Sequence, residues 1–159
     1  MALLVTKWVT DNIKNVDFNE EDQLYCKDTS VFITDVCKTA QDKVQISMQN
    51  NGNFKIDRLS IGMETTHKPE SWCLKLSVQG FNPSSAYQYD LKFGKMTGRL
   101  IGDEISVYQD CDTITQESPQ PAEIIKKIAI VPWIKIEDKS ISCIEKKVEL
   151  NQDIPNCQP

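Results

Sequence analysis

Between Lys43 and Met63 the chain alternates apolar and polar residues, breaks off at Asn50-Asn51-Gly52-Asn53, and alternates again. Val44, Ile46 and Met48 are interleaved with Gln45, Ser47 and Gln49; after the interruption come Phe54 and Ile56, then Leu59, Ile61 and Met63. A period of two puts the apolar side chains of an extended segment on one face, so each half predicts a strand with one dry and one wet face. Asn and Gly tolerate positive φ, which a tight connection needs, so Asn50 to Asn53 reads as a chain reversal between paired strands. The phase slip at Asp57-Arg58 predicts a bulge or bend.

The same reading extends along most of the chain. Val31 to Cys37 is β-rich, Trp72, Leu74, Leu76 and Val78 alternate, and Gly80 to Ser85 is a turn. Tyr87, Tyr89, Leu91 and Phe93 make the next strand, and Leu100-Ile101 with Ile105 and Val107 supply short ones. Asp112 to Glu123 is a long loop with Pro119 and Pro121. Ile124 to Ile136 resumes the strand pattern, with Pro132 in mid-run implying an edge position or a bend between sheets. Ile141, Cys143, Val148 and Leu150 finish it, and Asn151 to Pro159 is a tail pinned by Cys157. Trp72 continues an inward series and reads as core, and Trp133 as half-exposed at a sheet corner. About eight short strands separated by turn signals indicate a mainly β chain, an immunoglobulin-like β-sandwich preceded by a short N-terminal helix.

That helix is read from Leu4, Trp8 and Val9 at helical spacing, with Leu3, Ile13 and Val16 nearby. The acidic stretch from Asp17 to Asp22 reads as a solvated connector. The expected organisation is therefore 1–23 as N-terminal helix and polar neck, and 24–159 as the β-sandwich domain. The helix has two readings: a short element packing its apolar side on the domain, or the end of a longer apolar helix.

With 159 residues and 40% apolar content, the chain is long enough to bury a core unaided. The net charge of -5 argues against bulk electrostatic binding of nucleic acid. Six cysteines stand at 26, 37, 73, 111, 143 and 157, none in a CxxC pair and with His67 the single histidine. Zinc is a poor reading of that set, whereas an even number of scattered cysteines fits disulfides and an oxidising compartment. Free buried thiols are the alternative, and six cysteines allow 15 full pairings. Asn82-Pro83-Ser84 carries the proline that forbids N-glycosylation. No run approaches the ~20 apolar residues of a membrane span, and no signal peptide is recognisable. The extracellular reading therefore expects something upstream of Met1.

No nucleophile, P-loop or metalloprotease pattern stands out, and no cofactor or metal is expected. His67 sits in a loop sequence, Thr65-Thr66-His67-Lys68-Pro69. Asp103-Glu104 and Asp110-Cys111-Asp112 put acids side by side, as 23 acidic residues do by chance. Asp17, Asn19 and Glu21 alternate as calcium ligands do, but Asp22 occupies the position where that loop needs glycine. The sequence therefore points away from an enzyme.

The segment ISMQNNGNFKI, within Val44 to Ile56, looks like the strand, Asn-x-Gly, strand signature of small immunoglobulin-like adhesion modules. It resembles more closely the globular domains of archaeal archaellins and type IV pilin-like proteins. The wider layout is similar too: an apolar helix from Leu3 to Val16, a polar neck to Gln23, Cys26, the strand Val31 to Cys37, the Gly80 to Ser85 turn, and Ile128 to Ile136 before Ser142-Cys143. The resemblance covers most of residues 3 to 64 and about 124 to 143. It implies an extracellular structural subunit that self-associates into a filament, with Leu3, Leu4, Trp8, Val9 and Ile13 in the assembly helix. The long helix and cleavage site of that family are not within residues 1–159, so membrane contact is expected only through a segment upstream. The alternative is a secreted or surface-tethered β-sandwich adhesin.

Overall fold

The structure is a computed structural model that describes residues 20–40, 43–66, 71–92, 99–101, 104–106, 109–111 and 125–159. The segment holding Leu3, Leu4, Trp8, Val9 and Ile13, the loop histidine His67, and the stretch 112–124 lie outside the described residues. The first element is a two-turn helix, α1 (Glu20–Lys27). It is followed by β1 (Val31–Ala40), β2 (Lys43–Asn50), β3 (Ile56–Thr65), β4 (Ser71–Lys75) and β5 (Ala86–Lys92). Then come β6 (Arg99–Ile101), β7 (Glu104–Ser106), β8 (Gln109–Asp110), β9 (Ile125–Ile136), β10 (Lys139–Ser142) and β11 (Val148–Leu150), with a 3-10 turn at Ile144–Lys146.

The chain is mainly β and sandwich-like. One antiparallel sheet has the order β1-β2-β5; the other runs β10-β9-β3-β4-β8, with β11 also pairing β9. The second sheet is antiparallel except for a two-residue parallel pairing of β4 with β8. β6 and β7 pair as a separate hairpin. The alternation read from the sequence does the packing: Val44, Ile46 and Met48 face Ile56, Leu59, Ile61, Ile130 and Ile134 in one apolar cluster. Each such side chain, removed from water, stabilises the fold by roughly 1.5–3 kcal/mol.

Three local expectations are corrected. First, Asn50 to Asn53 does not join paired strands. β2 pairs with β1 and β5, while β3 lies in the other sheet, so this segment carries the chain across the core from one sheet to the other. Asn50 is fully buried. Its Nδ2 donates to the carbonyls of Phe54 at 2.8 Å and Phe81 at 3.1 Å, and its Oδ1 accepts from Gly52 N–H at 3.0 Å. Gly52 is needed for close approach rather than for positive φ: a Cβ there would meet Asp28 O and Ser30 N at 2.6 Å. Ordinary contacts begin almost an ångström further out. The phase slip at Asp57-Arg58 is a real register shift against β9.

Second, Pro132 is at neither an edge nor a corner, because β9 is flanked by β3 on one side and by β10 and β11 on the other. In an antiparallel strand a residue's N–H and C=O leave on the same side. The Pro132 carbonyl accepts Cys143 N–H at 3.0 Å. Its missing donor therefore faces the gap where β10 has ended at Ser142 and β11 has not begun. A proline there sacrifices no ladder bond.

Third, Trp72 is buried, but Cys73 is its neighbour on the main core and Leu76 is exposed, so the inward phase is opposite to the one expected. Trp72 instead packs with Ala129, Val131 and Ile144 in a smaller cluster on the outer face of the second sheet. Gly62 makes room for it: a Cβ at Gly62 would lie 2.8 Å from the indole. Trp133 is half-buried, as expected, and donates its indole N–H to the buried Ser60 hydroxyl at 2.7 Å.

Asn50→Ala leaves Phe54 O without its amide donor and Gly52 N–H without its acceptor, while Phe81 O keeps Ile56 N–H; at about 1–3 kcal/mol per stranded group we expect a loss of about 2–6 kcal/mol in denaturant unfolding with the disulfides intact. Gly52→Ala is expected to cost about 1–3 kcal/mol through backbone displacement. Ser47→Ala on the wet face of β2 is the control, expected within about 0.5 kcal/mol of the parent. Equal effects for all three would contradict the role given to the crossing.

Candidate functional site

All six cysteines are paired. Cys26 joins Cys143, Cys37 joins Cys157 and Cys73 joins Cys111. The disulfide expectation therefore holds, and three disulfides fit an oxidising environment. The first two bonds span sequence separations of 117 and 120 residues. Closing loops of that length removes roughly 4–5 kcal/mol of denatured-state entropy each in the chain-entropy account.

Each bond has a distinct place in the fold. Cys26–Cys143 fastens α1 to the end of β10, beside the buried Thr29, whose hydroxyl lies 3.9 Å from Cys143 Sγ. Cys73–Cys111 staples β4 to the residue after β8 and so secures the two-residue parallel pairing between them. Cys37–Cys157 ties the C-terminal tail to β1; next to it Lys38 N–H donates to Pro155 O at 2.8 Å and Cys157 N–H donates to Lys38 O at 2.9 Å. The tail expectation at Cys157 is met.

The N-terminal pole differs from the solvated connector read in the sequence. Glu20 to Lys27 is helical, so the expected 23/24 boundary falls inside α1. Acidic residues sit well there because β10 supplies a cation: Asp22 pairs with Lys139. Tyr25 meets the ring of Phe54 edge-on, with centroids 6.0 Å apart. Leu24 is 56% exposed and Tyr25 39% exposed, giving this pole apolar surface next to the point where the N-terminal segment joins. Sequence reasoning misses both residues, which fall between the polar neck ending at Gln23 and the first strand and belong to no apolar alternation.

A second surface lies on the outer face of the β1-β2-β5 sheet. Register places Phe32 beside Gln49, which pairs in turn with Ala86, and Asp35 beside Ser47, which pairs in turn with Gln88. Gln45 donates to Asp90 at 3.3 Å across the β2–β5 pair. Phe32 is 60% exposed among these polar neighbours.

Among the described residues no three His, Cys, Asp or Glu side chains stand together as a metal site. Glu21 of the alternating Asp17, Asn19, Glu21 set is in α1, while Asp17 and Asn19 lie outside the described residues. Cys111, between two acids in the sequence, is consumed by its disulfide. No helix among the described residues is long and apolar enough to cross a membrane. Glu149 on β11 is held below the usual carboxylate range, first by its hydrogen bond from Lys147 at 2.6 Å and then by Lys127 at 3.2 Å, against a desolvation penalty. Comparison with known proteins found no matching family model, no matching curated protein and no matching solved structure. Fold and site together define a disulfide-stapled, two-layer β domain.

Replacing Cys26 and Cys143 together by serine is expected to cost about 2–5 kcal/mol, read as a lower denaturation midpoint. Because the folded-state pKa of Glu149 lies below its ordinary value, its contribution is present above about pH 4.5 and fades as pH falls through the lowered value. Glu149→Gln should therefore cost up to about 1 kcal/mol at pH 7 and nothing in strong acid. An equal deficit at both pH values would contradict the ion-pair assignment.

Proposed function

We propose that this chain is the globular domain of an extracellular structural assembly, a filament subunit held through the segment that precedes α1. The observation that carries the reading is the position of Cys26–Cys143. A pull on the residues before Glu20 enters α1, reaches Cys26 within two helical turns, and passes through a covalent bond to the end of β10, which pairs with the long strand β9. A domain anchored at that end resists being peeled apart by the load, and all three disulfides suit exposure outside the cell. The apolar residues Leu3, Leu4, Trp8, Val9 and Ile13 then supply helix contacts between copies, and the partner is a second copy of the same chain. Function on this reading lies in surfaces rather than in catalysis.

A second reading has its own support. Phe32, 60% exposed on the polar outer face of the β1-β2-β5 sheet, is a ready anchor for a bound protein or glycan, as a surface-tethered adhesin requires.

Immunogold electron microscopy of the producing cells separates the two. Label spaced along filaments, lost in a Leu4→Asp, Trp8→Asp variant whose circular dichroism is unchanged, is the expected result. Label scattered over the envelope with no filaments, unaffected by that variant but with target binding lost on Phe32→Ala, would overturn the filament reading in favour of the adhesin.

A further inference from the structure

The three disulfides are not equivalent. Cys26, Cys143, Cys73 and Cys111 are each at most 4% exposed, and all four belong to the apolar cluster between the sheets. Cys37 and Cys157 lie outside that cluster; Cys37 is itself buried, at 6% exposed, so the accessible sulfur of this bond is that of Cys157. Register puts Cys37 beside Gln45 on the polar outer face of its sheet, and Cys157 is half-buried in the tail. Thiol–disulfide exchange requires a thiolate to reach a sulfur, so access ranks this bond first.

The surroundings also let this bond open without disturbing the core. Asn151 to Asp153 are exposed, and so are Gln158 and Pro159. Ile154 is the buried anchor of the tail. Beyond it the backbone is held to β1 at one point, the bridge between Lys38 and Asn156 with its two flanking hydrogen bonds. No strand of either sheet passes through residues 155–159.

We propose that Cys37–Cys157 is a thiol-exchange site: a cystine that small external thiols open and modify while the fold and the other two cystines persist. The thiolate RS⁻ attacks Cys157 Sγ, on the more exposed residue. The S–S bond breaks, its electron pair leaves on Cys37 Sγ, and that sulfur takes a proton from water. The products are a mixed disulfide, R–S–S–Cys157, and a Cys37 thiol. A second RS⁻ then attacks the R sulfur, releasing RSSR and a Cys157 thiolate that is protonated in turn. Two thiols are thereby oxidised as one cystine is reduced. The site is a reversible point of covalent attachment at the edge strand β1, and its opening leaves residues 155–159, beyond the Ile154 anchor, held by backbone hydrogen bonds alone.

The test uses the full native chain incubated with reduced glutathione, then acid-quenched, alkylated and mapped by mass spectrometry over time. Alkylation of Cys37 and glutathione on Cys157 are expected at least about tenfold faster than modification of the other four cysteines. Circular dichroism should be unchanged, and amide exchange should rise at Lys38 and Cys157 but not in β3 or β9. Simultaneous appearance of all six cysteines, or a core pair reacting first, would overturn the proposal. The Cys37→Ser, Cys157→Ser double variant is expected to stay folded and to take up no glutathione under the same conditions. Uptake at the parent rate would place the exchange at another pair and equally overturn it.

Discussion

The bond between Cys26 and Cys143 sets the frame in which the rest of the chain is arranged. It holds α1 against the end of β10 and so fixes the backbone that follows the helix, Asp28 to Ser30. That backbone is the surface on which the sheet crossing folds: Asn53 N–H donates to Asp28 O at 2.8 Å and Asn51 N–H donates to Ser30 O at 2.9 Å. Gly52 comes so close to it that no side chain fits. From Asn50 the same network continues to Phe81 and to Ser84 and Ser85, in the loop before β5 that returns the chain to the first sheet. One covalent link and one buried amide thus connect the helix and two of the crossings between the layers. Because a buried polar group left unpaired is costly, the network is stable only when it is complete.

The two sheets use their outer faces differently. On the larger sheet, Trp72 lies over Gly62, and Trp133 is bonded to Ser60, which covers small residues that would otherwise be wet. On the smaller sheet, among the described residues, amides, hydroxyls and carboxylates face outward around the exposed ring of Phe32. The larger sheet therefore behaves as the structural layer and the smaller one as the layer presented to the surroundings. The peripheral cystine, Cys37–Cys157, ends on that presented side, whereas the other two lie in the apolar cluster between the sheets.

Strand class and position were legible in the sequence because period two is a direct consequence of pleated geometry, and β2 and β3 show it plainly. The partner of each strand was not. Asn-Gly looks like a hairpin turn whether it closes a ladder or crosses between layers, and here the decisive contact is with backbone 22 or more residues earlier, at Asp28 and Ser30. A real tight hairpin, β9 to β10, turns through Glu137-Asp138, with Glu137 at a φ of 54°, and carries no glycine or asparagine to announce it. Pro132 was read as a boundary signal; a gap between two successive partner strands is a tertiary circumstance that no local pattern encodes. The even cysteine count implied disulfides, but only the fold selects one of the fifteen pairings. The surface residues Leu24, Tyr25 and Phe32 escaped notice for a related reason: exposure of an apolar side chain is a property of what fails to cover it.

The most direct test of this account is non-reducing peptide mapping of the protein isolated from an oxidising compartment. The account requires Cys26–Cys143, Cys37–Cys157 and Cys73–Cys111, with no free thiol. Six free thiols in a protein with unchanged circular dichroism, or a folded form with Cys26 bonded to any other cysteine, would contradict it, because the helix would then have no covalent seat and the crossing at Asn50 no fixed surface to fold against.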